Sequence, residues 1–191
     1  MFKNIFKTTI SLVTKPSAAW KELSGKKDDD SEQFLSGYVY PYTGMIALAA
    51  FVGILLTHKD FELQVALKSA ILAFLSYLGA FWLAAYLLDE ALRGFFVREK
   101  NIKLCRYFVG YSLTLMFALK IIQCLLPEDF FFIPYLAIYT AYIVWEGAIP
   151  YMEMSEKEQM RFTGIASVII ILTPYAIEYF IKLLMPGLRL V

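Results

Sequence analysis

Lys120, Glu146 and Glu178 each interrupt a long apolar stretch, and they are the residues whose type and setting best suit them to chemistry. An isolated charge at the centre of a bilayer costs about 2.5–3.5 kcal/mol on insertion scales, so such a residue pairs, faces water or serves a site. Counting about 1.5 Å per residue from the basic end of each stretch puts Lys120 about 20 Å deep and Glu178 about 24 Å deep. The shared level predicts an ion pair, with Lys182 one turn beyond Glu178 competing for the same carboxylate. Two roles fit this trio: a clamp between helices, or a functional intramembrane pair.

Glu146 differs, because it lies only about 10 Å from the basic end of its stretch. No basic residue shares that level, but Tyr111 and Ser112 do. A desolvated carboxyl there would donate a hydrogen bond or load a proton or cation reversibly. Gly147 and Pro150 loosen the helix beside it and could turn backbone carbonyls toward a ligand, as broken helices do in transporters. Glu146, Tyr111, Ser112, Gly147 and Pro150 therefore form a candidate buried polar site; the competing reading is a glutamate facing a shallow watery cleft.

Enzyme signatures are missing. His58, with Asp60 and Glu62 nearby, is a single imidazole in a polar connection and a poor basis for a metal site. Neither HExxH nor GxSxG occurs, and there is no glycine-rich phosphate loop. Asp89 and Glu90 followed by Arg93 read as a helix-end charge cluster. Cys105 and Cys124 fall about 28 Å apart along one helix, too far to bridge. A noncatalytic protein is expected, with no cofactor, no metal and, the lysines being dispersed, no nucleic-acid partner.

These residues must be positioned by membrane-spanning helices. Of 191 residues, 59% are hydrophobic and only 18% charged, with a mean hydropathy of +0.58, far from an ordinary soluble domain. A crossing needs about 20 apolar residues. Residues 34–57 and 65–88 satisfy this without a central charge; 107–126, 130–152 and 162–185 do so around Lys120, Glu146 and Glu178. The expected fold is all-α, an integral membrane bundle of five transmembrane helices over 34–191, preceded by a cytoplasmic arm over 1–33. Small residues at Ser76, Ala80 and Ala84, and at Ala49 and Gly53, would let helices approach within the bundle or between copies in a homodimer.

The first 33 residues hold six lysines, and the segment 89–106 holds Arg93, Arg98, Lys100, Lys103 and Arg106. Both belong on the cytoplasmic side, giving N-terminus in and C-terminus out. In the arm, Phe2, Ile5, Phe6, Leu12 and Val13 fall near one side of a helix, which predicts an amphipathic element lying on the membrane surface. Thr14 is placed to cap a second short helix opening at Pro16, with Trp20 at headgroup level. Residues 25–32 read as a hydrated linker. The arm would anchor to lipid or dock a membrane or cytoplasmic protein.

The arm with TKPSAAW at 14–20, Tyr40-Pro41 opening a span, GYS at 110–112 and YTAYIVWEGAIPYM at 139–152 resembles, in that order and over nearly the whole chain, the Yip family of Ypt/Rab-interacting membrane proteins and their bacterial relatives. The resemblance implies five spans, a cytoplasmic N-terminus and an organiser or adaptor. The Asp-Leu-Tyr-Gly-Pro motif of eukaryotic members has no counterpart here, and Leu113 to Met116 stand where a proline commonly follows GYS. Rab binding is therefore not implied, and a bacterial inner membrane is the expected location. The alternative is a small transporter or channel with a cytoplasm-facing site around Glu146.

Overall fold

Residues 63–96 form one uninterrupted helix because nothing in them stops one: no proline, and leucine and alanine throughout. In the computed structural model, which describes residues 2–25, 31–57, 62–126 and 132–184, this helix is α5 (Leu63–Phe96). Its 34 residues measure about 51 Å against a hydrocarbon core of about 30 Å. The helix thus runs past the expected end at 88 and carries Asp89, Glu90 and Arg93 with it. It stops at Val97, whose φ of 52° is left-handed and whose side chain is 92% exposed.

The remaining elements are helical as well. Among the described residues there is no strand: α1 (Phe2–Thr14), α2 (Pro16–Ser24), α3 (Ser31–Phe34), α4 (Tyr40–Thr57), α6 (Ile102–Ser112), α7 (Thr114–Leu125), α8 (Tyr139–Ala148) and α9 (Glu156–Leu184) complete the set. α4 and α9 flank α5, and α7 packs on α4. Ser76, Ala80 and Ala84 are fully buried, so this row packs inside the bundle. At Gly53 a Cβ would collide with the Cys124 carbonyl, so α4 and α7 touch backbone to backbone there.

Among the described residues three helices are long and apolar enough to cross a membrane, and four if the bent pair α6–α7 is one span. Each departure from a straight span has a local cause. Pro41 has no N–H for the Gly37 carbonyl, and the preceding turn, Leu35–Val39, widens into a π-helix in which the Tyr40 N–H reaches the Leu35 carbonyl. The expected third span bends by 40° between α6 and α7, just after Gly110 and Ser112, residues of the kind found at helix kinks. Over the expected fourth span, a 3₁₀ segment (Ile133–Ile138) leads into α8 of only ten residues, which ends before Pro150. Together these two pieces rise about 27 Å.

The N-terminal segment departs most from its expectation. α1 lies against α7, and α2 against α8. Ile5 and Leu12 are buried by protein while Phe6 and Ile10 are exposed. The hydroxyls of Thr9 and Tyr42 bond to each other, and Tyr139 donates to the Val13 carbonyl at 3.0 Å. Thr14 does not cap α2: its hydroxyl turns back to the Ile10 carbonyl at 2.6 Å, and Lys15 holds the N-cap position without a side-chain bond. Trp20 is completely enclosed by protein.

Candidate functional site

The interior gathers aromatic rings at the end of the bundle where α2, α6 and α8 meet. The Trp20 ring stacks on Phe108 at 5.0 Å between centroids, meets Tyr111 edge-on at 6.1 Å and tilts against Tyr151 at 5.1 Å. Its indole N–H donates to the Ile143 carbonyl at 2.8 Å, satisfying the one polar atom this ring buries. The approach requires glycine at 147, where a Cβ would stand 2.6 Å from the Trp20 ring. A second contact of the same kind lies next to it: a Cβ on Gly110 would stand 2.7 Å from the Phe34 ring, which packs against Tyr107 and Tyr111. The π-helical turn then points Tyr38 at the α6–α7 bend, where its hydroxyl bonds Thr114 at 2.6 Å.

The expected polar-site residues divide between two environments. Tyr111 points into the aromatic cluster, and the buried Ser112 hydroxyl beside it has no hydrogen-bond partner. Gly147 faces inward onto Trp20. Glu146 is half-buried on the other side of α8, on an outward stripe with the exposed Tyr139 and Tyr142, within hydrogen-bonding reach of the Tyr142 hydroxyl. Pro150 lies beyond the end of α8, in the turn where Tyr151 bonds the Gly147 carbonyl at 3.1 Å.

The charged trio does come together. Lys120 Nζ lies 3.4 Å and Lys182 Nζ 3.0 Å from the two oxygens of Glu178, linking α7 to α9. Lys120 and Glu178 are each about four-fifths buried.

A polar cluster at the basic end went unforeseen. Asp89, 1% exposed, accepts from the Asn101 N–H at 2.9 Å, and the Lys100 ammonium stands 3.8 Å from its second oxygen and 3.6 Å from Glu90. Arg98 donates to the carbonyls of Met152 and Glu153 at 3.1 and 2.8 Å, fastening the α5–α6 connection to the α8–α9 connection. Glu153 has a left-handed φ of 55° at that point. The doublet of acidic residues and the basic run were visible in sequence, but the bonding to loop carbonyls needs a chain reversal that no residue pattern specifies. His58 and Asp60 lie outside the described residues, and among those described no group of three His, Cys, Asp or Glu side chains could hold a metal ion. Cys105 and Cys124 are both free thiols.

This is an all-helical, multi-pass membrane architecture with an aromatic latch at one end and a clamped charge between two of its helices. A family model, the Yip1 domain, matches residues 10–177. The chain belongs to the Yip family. No curated protein and no solved structure matches it. Three of the four segments that carry the sequence resemblance meet in space: Trp20 from TKPSAAW, Tyr111 from GYS, and Gly147 and Tyr151 from YTAYIVWEGAIPYM.

Proposed function

We propose that the chain is a noncatalytic organiser or adaptor of the Yip type, which uses the basic end of its bundle, rather than a free N-terminal arm, as the surface that meets a membrane or cytoplasmic protein. The observation that carries this reading is the fastening of that end: Arg98 ties two connections together, and Trp20 draws α2 into the core. The exposed basic residues there include Arg93, Lys103, Lys157 and Arg161, set among the exposed carboxylates of Glu99, Glu153 and Glu156. A surface held this way loses little conformational freedom on binding.

In the same reading the chain crosses five times, with the bent α6–α7 pair and the 3₁₀–α8 segment each counted as one crossing. The shared end of the 97–101 and 149–155 connections supports it, since a chain that leaves one end and returns to it crosses an even number of times, and two crossings suit the lengths of these segments. The basic residues favour a cytoplasmic position for that end and a periplasmic one for the C-terminus, and the departures from the eukaryotic motif favour a bacterial inner membrane.

The test is crosslinked affinity capture of the tagged protein from its native membranes, beside an Arg93→Glu/Lys103→Glu variant, read by mass spectrometry. A stoichiometric partner held by the unaltered chain and lost from the variant supports the adaptor reading. A partner retained equally by both, or none with either, refutes it.

A further inference from the structure

A groove of about 620 Å³ runs between α5 and α9 at the basic end of the bundle, within the roughly 300–1,000 Å³ of ligand sites. Its walls are Leu87, Ala91 and Phe95 on one side and Ile165, Val168 and Ile169 on the other. Leu87, Phe95 and Val168 are substantially exposed, so the groove opens sideways to where lipid chains lie. Gly164 forms part of it, and a Cβ there would meet nothing within 4 Å.

One turn beyond Gly164, on the same stripe of α9, Arg161 lies over the rings of Phe95 and Phe96 at 5.6 and 5.7 Å. Among the described residues it has no carboxylate within ion-pair distance, and Lys157 stands a further turn along. The one carboxylate in the groove, Glu90, is offset by the Lys100 ammonium at 3.6 Å.

We propose that this groove holds one anionic phospholipid, its acyl chain along Leu87, Ile165 and Val168 and its phosphate against the Arg161 guanidinium. The charge decides the occupant. An apolar slot alone would accept any lipid chain, whereas a basic residue fixed by aromatic rings at the slot's polar end selects a negative headgroup. The open space at Gly164 sets the width available to the chain.

The test uses the full chain in detergent with phosphatidylglycerol or phosphatidylcholine added, and native mass spectrometry to count retained lipid. The unaltered protein should retain phosphatidylglycerol over phosphatidylcholine by about fivefold or more, the worth of one basic residue at a membrane surface. Arg161→Gln should abolish the preference but keep some binding of both. Gly164→Leu, which fills open space without a clash, should remove bound lipid of either kind while the melting temperature holds. Equal retention of the two lipids by the unaltered protein, or a preference that survives Arg161→Gln or Gly164→Leu, overturns the proposal.

Discussion

Gly147→Ala should destabilise the protein far more while Trp20 is present than without it. In the native chain the added Cβ would stand 2.6 Å from the indole Cε2 and 2.9 Å from the Phe108 ring, against about 3.5–4.0 Å for a comfortable carbon contact. The ring must therefore move about 1 Å. It is held by its bond to the Ile143 carbonyl and wedged between Phe108 and Tyr151, so it cannot move cheaply. Overpacking of this kind costs about 1–3 kcal/mol, from which the helix preference of alanine over glycine returns up to about 1 kcal/mol. The net loss should be about 2 kcal/mol at the tighter end of that range. Trp20→Ala alone should cost about 3–5 kcal/mol. In that background only the Phe108 contact at 2.9 Å remains, on a ring that has lost its stacking partner and can yield, and Gly147→Ala should be close to neutral once the helix preference of alanine is set against it. The difference corresponds to a coupling of about 2 kcal/mol, within the range for residues in direct contact. Unfolding of all four proteins in mixed micelles, followed by SDS titration, measures it. An equal effect of Gly147→Ala in both backgrounds would show that Trp20 does not seat on α8.

Lys120→Met leaves Glu178 with Lys182 alone and should cost about 1–3 kcal/mol, between the values for exposed and buried pairs; Lys120→Met/Glu178→Leu together should cost less than the sum of the two single changes, read by thermal unfolding. Val97→Gly removes a β-branched side chain from left-handed backbone at a site with no packing to lose, and should stabilise by about 1 kcal/mol; an unchanged melting temperature would count against that conformation. Glu146→Gln should alter neither stability nor the ion leak of reconstituted vesicles, because its carboxylate lies on the outward stripe of α8. A leak that depends on Glu146 would move the function to transport.

Apolar length and basic clustering made the helical, multi-pass character legible, because a span is specified mostly by its own residues. The ends were less so. Asp89 to Phe96 continue α5 since alanine, leucine, glutamate and arginine favour helix whether or not lipid surrounds them. Over 130–152 the expected apolar stretch is not one continuous α-helix, because hydropathy alone could not register that Pro134 and Pro150 bracket a 3₁₀ segment and a short helix.

At the candidate site, Lys120, Glu178 and Lys182 were readable because residue count gives their levels closely enough even across the 40° bend before Lys120. The division between Glu146 and Gly147 was not, because it depends on which side of α8 faces Trp20, a residue 127 positions away from Gly147. An amphipathic pattern such as that of α1 fits a lipid surface and a protein surface equally well, and only the partners of Ile5, Thr9 and Leu12 distinguish them.

Fluorescence quenching of Trp20, in a chain carrying Trp82→Phe and Trp145→Phe and reconstituted in bilayers, asks directly whether the N-terminal helices are part of the bundle. With the indole fully enclosed, neither acrylamide in the water nor brominated lipid should quench it appreciably. Strong quenching by either would place Trp20 in water or at the headgroups, and would return the N-terminal segment to the role of a free arm.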